Sequence, residues 1–258
     1  MKGMMNMSAQ FEMWSYFHYF MIIFPFVLAI ILYFFSKEKE FSVQRKIALV
    51  LGIILVIILF IRQVYIFNTE GGLNPEVFPF QVCHFANFLM LIVAINKNYR
   101  VIGAIAWCLN FPAGLLSVIF ADGLENYSNL FNPQALAYIS GHMLIVTAGL
   151  YLLMIKMIKI NKRTLFKMYK VVGLLYLLSV LVNNWFVDIF NEKANYFYTY
   201  TPEKGTPLEP LFNLGSNINF LGITFNPIYL MSLAAIGVIF MYIMYLIAKA
   251  RYISLKDK

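Results

Sequence analysis

The stretch ALVLGIILVIILFIRQVY, residues 48–65, carries no charged side chain before Arg62. As an α-helix, its 18 residues extend about 27 Å at 1.5 Å per residue, which is close to the thickness of a bilayer hydrocarbon core. A helix satisfies its own backbone hydrogen bonds, whereas an irregular chain in lipid does not. The stretch therefore predicts a membrane-spanning helix.

Six further apolar runs of similar length predict an all-α, polytopic bundle of seven transmembrane helices. Hydrophobic residues make up 61% of the chain and charged residues 12%, against about a quarter in soluble proteins. No soluble domain interrupts the pattern, so we expect one membrane domain over 1–258. The other predicted spans are 16–35, 78–95, 101–121, 135–155, 171–190 and 227–247.

Lys and Arg residues are concentrated on one side of this predicted bundle. Sixteen of the 20 follow the first, third, fifth and seventh runs, and most acidic residues lie on the opposite side. Because cytoplasmic loops retain positive charge, we expect an outer N-terminus, a cytoplasmic C-terminus and a multi-pass location in the cell membrane. The net charge of +8 then reflects topology and anionic lipid rather than nucleic acid.

Strongly polar residues gather in the predicted outer half of the bilayer, where unpaired polar groups are costly. The third span alone carries four of them, Gln81, Cys83, His84 and Asn87. Other spans bring polar residues to the same depth or close to it: Arg62, Asn110, Tyr138, His142, Asn183 and Asn184.

At about 100° per residue, Cys83, His84 and Asn87 share one helix face, and Cys83 lies one turn from Asn87. A cysteine acts as a nucleophile only as the thiolate, so chemistry at Cys83 needs a nearby base. His142, on the face that also carries Tyr138, is the best candidate. The alternatives stay open: a lone buried cysteine is commonly inert, and buried polar residues also join helices.

The remaining motifs exclude several chemistries. The sequence has no HExxH, GxSxG, Walker loop or zinc-spaced cysteine pair, so we predict neither metal nor cofactor. We interpret His18 as an interfacial residue and Cys108 as structural. Asn110 lies beside Pro112, which should kink its helix, and it either satisfies the freed backbone groups or lines a site.

The connection over residues 191–226 is unusually long for this chain, and its aromatic content predicts packing rather than disorder. It is either a structural cap over the helix ends or a lid over a site. Tyr196 is its candidate binding residue.

Four segments resemble the YwaF-type bacterial membrane proteins, which are related to eukaryotic transmembrane protein 164. FPFQVCHF (78–85) resembles the Cys-bearing helix start of that family, and SGHMLIVTAGLYL (140–152) resembles its Gly-His helix. WCLNFPAGLLSVIFAD (107–122) and NYFY (195–198) resemble elements between and after these two. The resemblance implies acyl transfer to lysophospholipids through Cys83 and His142. The chain departs from the family at Gln81, where bacterial relatives usually carry histidine.

Together, these observations predict an intramembrane lipid acyltransferase or acyl hydrolase with Cys83 as nucleophile and His142 as base. Its partner would be a membrane phospholipid or lysophospholipid. Arg62 would hold a phosphate or extend to the interface. The alternative is a non-enzymatic transporter or solute-binding protein with a polar outer pocket; a receptor-like scaffold is a third. The expected substrate-binding residues are Arg62, Gln81, His84, Asn87, Asn110, Asn183, Asn184 and Tyr196.

Overall fold

The computed structural model describes residues 10–121, 123–124, 127, 129–202 and 206–253. Its main secondary structure is helical, with one small antiparallel hairpin. The helices are α1 (Tyr16–Ser36), α2 (Phe41–Glu70), α3 (Val82–Ile95), α4 (Arg100–Phe120), α5 (Pro133–Met154), α6 (Lys162–Phe190), α7 (Leu208–Phe212) and α8 (Pro227–Ile253), and the strands are β1 (Ile218–Phe220) and β2 (Ile223–Phe225).

Six helices, α1, α2, α4, α5, α6 and α8, are long and apolar enough to cross a membrane. The helix at the third predicted span, α3, has only 14 residues and extends about 21 Å. The predicted count of seven full-length spans is thus revised to six candidates and one shorter apolar helix. The predicted orientation of the two termini stays a prediction.

The third span was predicted too long because its first residues are not helical. Pro79 lacks a backbone donor and disfavours helix at Phe78. The aromatic residues on either side of Pro79 pack instead against distant parts of the chain. The Phe78 ring contacts Phe186, and the Phe80 ring contacts Tyr196. Helix α3 consequently begins at Val82, and Cys83 lies in its first turn.

Helices α4 and α5 form the centre of the bundle. About two-thirds of an 18-residue apolar stretch of α5 is buried within the protein, against 17% for α8, most of whose side chains face outward. A Cβ atom added at Gly114 of α4 would lie 2.8 Å from the Ile145 side chain of α5. Glycine at this position therefore lets the backbone of α4 approach α5 closely, as small residues do between membrane helices.

The disturbance predicted beside Pro112 is a turn of π-helix over Ala106–Asn110. Here the backbone N–H of Phe111 donates to the carbonyl of Ala106, five residues earlier. The π-turn ends two residues before Pro112, the residue that supplies no backbone donor. It places Asn110 at the junction of the two α-helical parts of α4.

His18 corrects an interpretation made from the sequence. Rather than lying at the interface, its side chain is fully buried. One ring nitrogen contacts the Val118 carbonyl at 3.0 Å, and the other accepts the Trp14 N–H. These two hydrogen bonds compensate the cost of burying the imidazole ring. The aromatic residues around His18 in the sequence did not indicate either partner.

Candidate functional site

The site is built around an ion pair between α2 and the loop that precedes α3. Nη2 of Arg62 contacts the Glu76 carboxylate, and Nη1 donates to the Glu76 carbonyl at 3.1 Å. Only 13% of the Arg62 side chain is exposed. Asn74 accepts the Glu76 N–H at 2.8 Å and so fixes the loop. Arg62, predicted to hold a phosphate or to extend to the interface, is thus held by a carboxylate of its own chain.

A chain of polar contacts leads from this ion pair to Cys83. Nε2 of Gln81 donates to the Glu76 carboxylate at 3.5 Å. The Cys83 thiol donates to Oε1 of Gln81, also at 3.5 Å. Gln81, the residue that departs from the family pattern, therefore connects the carboxylate to the thiol. Cys83 is partly buried and lies at the N-terminus of α3, where backbone N–H groups stabilise a thiolate.

His142 is buried in the middle of α5, and its hydrogen bond identifies its tautomer. Nδ1 lies 2.7 Å from the carbonyl oxygen of Tyr138. A carbonyl oxygen only accepts, so the neutral ring carries its proton on Nδ1 and presents a lone pair at Nε2. Nε2 has no hydrogen-bond partner among the described residues. His142 is thus arranged as a proton acceptor.

Cys83 and His142 share no hydrogen bond in this structure, since the thiol is bonded to Gln81. Both nevertheless belong to one electrostatic neighbourhood. The Arg62 charge is felt at Cys83, at His142 and at His84, and His84 is also close enough to His142 to feel its charge. The helices α2, α3 and α5 therefore bring these four residues to one region, while the direct Cys83–His142 contact stays a prediction.

Three buried polar atoms of this region have no hydrogen-bond partner among the residues that the structure describes: His84 Nδ1, Asn87 Oδ1 and Asn110 Oδ1. Their residues are between 1% and 6% exposed. Asn110 does use its amide, which donates to the Val82 carbonyl at 2.8 Å and links α4 to the start of α3. An unpartnered buried polar atom costs about 1–3 kcal/mol, so three of them close to α3 are unmet hydrogen-bonding groups that a polar ligand or water would satisfy.

Asn183 and Asn184, both predicted to bind substrate, form hydrogen bonds within the protein, and their substrate-binding role stays a prediction. The amide of Asn183 donates to Tyr196 and Thr199, and the amide of Asn184 donates to Val180 and Thr224. These amides hold the outer segment against α6 and are already engaged by the protein itself.

Tyr196, the predicted binding residue of the outer segment, also makes its contacts within the protein. Its hydroxyl donates to the Pro75 carbonyl at 2.7 Å, and its ring is buried between Phe78 and Phe186. Burial raises the pKa of Tyr196 above its ordinary value. Tyr196 therefore ties the outer segment to the loop that carries Glu76.

Sequence reasoning missed Glu76 and Tyr127. Burial raises the pKa of Tyr127, and the neighbouring Arg62 guanidinium opposes that shift. Glu76 had one signal in the sequence: it is an acidic residue in the short connection after the predicted span 48–65, which carries Arg62 near its end. In the described part of the chain, no group of three or more His, Cys, Asp or Glu side chains is arranged to hold a metal ion.

The fold and the site define the class: a polytopic helical membrane protein with a buried polar cluster where α2, α3 and α5 meet. The model of the TMEM164 family matches residues 9–245, so the chain belongs to that family, as the resemblance of its motifs predicted. No curated protein and no solved structure matches the chain.

Proposed function

We propose that the protein is an intramembrane lipid acyltransferase or acyl hydrolase, with Cys83 as nucleophile and His142 as general base. The observation that carries the proposal is the tautomer of His142, whose Nδ1–H is committed to the Tyr138 carbonyl and whose Nε2 lone pair is unused. Membership in the TMEM164 family supports it. The site would lie in the outer half of the cell membrane.

Burial opposes formation of a thiolate, so the base has a specific task. Cys83 would exchange its bond to Gln81 for one to Nε2 of His142 by rotation about its Cα–Cβ bond. His142 takes the thiol proton as the sulfur attacks the acyl carbonyl of a phospholipid. The C–S bond forms, the ester C–O bond breaks, and the departing lysolipid oxygen receives the proton from His142.

The second half of the reaction regenerates the thiol. A lysophospholipid hydroxyl, or water, loses its proton to His142 and attacks the thioester carbonyl. The new C–O bond forms, the C–S bond breaks, and the thiolate recovers the proton from His142. Transfer to a lysolipid gives an acyltransferase, and transfer to water gives a hydrolase.

Two polar residues are suited to stabilise the oxyanion formed in each step. Asn87 lies one helical turn from Cys83 and forms no hydrogen bond with any described residue, and the Gln81 side chain already contacts the thiol. Asn183 and Asn184 are not assigned this role because their amides hold the outer segment. Arg62 would attract the lipid phosphate while remaining bound to Glu76.

A second candidate function is non-enzymatic binding or transport of a small polar solute. The observation that favours it is the set of unpartnered atoms on His84, Asn87 and Asn110. A solute with both donors and acceptors would satisfy them, and Cys83 would then have no chemical role.

The test uses the full-length protein in nanodiscs that contain a phospholipid with an alkyne-tagged acyl chain, with unlabelled lysophospholipid as acceptor. We expect a hydroxylamine-sensitive acyl adduct on Cys83 and labelled product phospholipid. Cys83→Ala and His142→Ala should each lower turnover by roughly 100-fold or more, and the double variant should lose little further. Cys108→Ala is the matched control, because that thiol is buried in the hydrophobic core.

The opposite result would reject the enzyme. If the wild-type protein forms no adduct and Cys83→Ala behaves as the Cys108→Ala control, Cys83 is a packing residue. The solute-binding function then predicts that His84→Ala and Asn87→Ala weaken uptake or binding of a polar solute, whereas Cys83→Ala does not.

A further inference from the structure

A groove of about 450 Å³ lies at the Lys- and Arg-rich end of the bundle, between the starts of α4 and α6. It is at the opposite helix ends from the cluster around Cys83, because α3 runs from Cys83 toward the loop that leads into α4. Three cations line it: Arg100 from α4, and Arg163 and Lys167 from α6.

The positive charge of this groove is not neutralised within the described part of the chain. The salt bridges of the described residues lie outside the groove and join Lys37 with Glu38 and Arg62 with Glu76. No Asp or Glu lines the groove. Arg163 and Lys167 are four residues apart on α6, so their side chains extend over the same helix face. Three cations without a carboxylate favour an anionic ligand.

The backbone adds donors to the same groove. Helix α6 begins with a side-chain cap, in which Asn161 accepts the Thr164 N–H at 2.8 Å. Helix α4 begins at Arg100 without any side-chain cap; the Arg100 N–H donates to the Asn98 carbonyl at 2.8 Å, and the N–H groups of Val101 and Ile102 are left for an external acceptor. Val101 and Ile102, the residues of that turn, line the groove. Cationic side chains and free N–H groups together are the donor set that a phosphate group accepts from.

The groove also has an apolar part. The Tyr99 ring is about half exposed, and Val101 and Ile102 are partly buried. An aromatic residue beside cations at a helix end is typical of the level of lipid headgroups. The surface therefore offers polar contacts to a phosphate and apolar contacts to the carbon atoms attached to it.

We infer that this groove binds a phosphate group, carried either by an anionic lipid headgroup or by a soluble phosphate compound. The cations hold the phosphate oxygens, and the uncapped start of α4 donates further hydrogen bonds. This site is separate from the proposed acyl-transfer site and does not depend on Cys83 or His142.

The experiment measures binding to the full-length protein in non-ionic detergent by native mass spectrometry, with titrations of dioleoyl phosphatidic acid and of dioleoyl phosphatidylcholine. We expect phosphatidic acid to bind the wild type roughly tenfold more tightly than phosphatidylcholine, because it adds net negative charge beside three cations. This preference should disappear in the triple variant Arg100→Gln, Arg163→Gln and Lys167→Gln.

The matched control removes the same charge from the same end of the bundle but outside the groove. The control variant is Lys46→Gln, Lys159→Gln and Lys170→Gln, and its three substituted residues are exposed, as are those of the test variant. The control should keep the wild-type preference. Equal loss in both triple variants would overturn the site, since it would show a response to net charge alone.

Competition identifies the source of the phosphate. Displacement of phosphatidic acid by millimolar inorganic phosphate supports a soluble phosphate ligand, and retention supports a lipid headgroup. If the wild type binds phosphatidic acid and phosphatidylcholine equally and also fails to bind inorganic phosphate, the inference is rejected. Folding of each variant is checked by circular dichroism and by its elution volume.

Discussion

Asn183 joins the outer segment to the membrane bundle, and its removal should loosen that segment. The residue is fully buried in α6. Its amide donates to the Tyr196 carbonyl at 3.1 Å and to the Thr199 hydroxyl at 2.9 Å, while its carbonyl accepts the Tyr196 N–H at 2.9 Å. Asn183→Ala removes all three hydrogen bonds.

The free-energy cost of Asn183→Ala depends on which polar groups keep a hydrogen-bond partner. The Tyr196 carbonyl still receives the Thr199 hydroxyl at 3.1 Å, and Thr199 still contacts Ser179 at 3.0 Å. The Tyr196 N–H is left without this acceptor. One buried unpaired donor and two lost hydrogen bonds together correspond to about 3 kcal/mol. Other ties of the segment remain in the variant, such as the Tyr196 hydroxyl to the Pro75 carbonyl and the Asn184 amide to the Thr224 carbonyl, so we expect local opening of the segment rather than global unfolding.

Limited proteolysis within 191–226 measures this loss directly. At about 1.4 kcal/mol per factor of ten, a 3 kcal/mol loss should speed cleavage by roughly 100-fold when opening is a rapid pre-equilibrium. Asn217→Ala is the control, because Asn217 lies in the same segment but is exposed. If Asn183→Ala is cleaved no faster than Asn217→Ala, these hydrogen bonds do not hold the segment.

Two further predictions address packing and topology. A Cβ atom added at Gly52 would lie 2.7 Å from the backbone of α3, so Gly52→Ala should lower thermal stability by about 1–3 kcal/mol, whereas Gly173→Ala, with open space around it, should be neutral or slightly stabilising. Equal melting temperatures for the two variants would show that the close approach of α2 and α3 is not required. In intact cells and without the native cysteines, Lys39→Cys should be protected from an impermeant thiol reagent and Asn213→Cys should react; the reverse labelling pattern would reject the predicted orientation.

Much of the helical architecture was predictable, because each span is a local property of an apolar run. The span around Arg62 was located correctly, although α2 continues to Glu70, where Gly71 ends it in a left-handed conformation. The start of α3 was not predictable from hydropathy. Phe78 and Phe80 are as apolar as a helix requires, but they pack on Tyr196, which is more than a hundred residues away in the chain.

The candidate site was predicted in part for the same reason. Periodicity grouped Cys83, His84 and Asn87 on one face of a helix, since neighbours on a helix surface are set by local spacing. Periodicity did not predict that the Gln81 side chain would accept a hydrogen bond from the Cys83 thiol, nor that Glu76 would form an ion pair with Arg62. These contacts depend on how a connecting loop folds back over two helices.

The sequence by itself determined the environment of this protein and the approximate positions of its membrane helices, because the free energy of placing a side chain in lipid depends on that side chain and its near neighbours. Only the tertiary structure decided what each buried polar residue does. His18 bonds to α4, Asn183 binds the outer segment, and Oδ1 of Asn87 has no hydrogen-bond partner among the described residues. These outcomes depend on the depth and rotation of helices relative to one another, which are set by packing between residues distant in the chain.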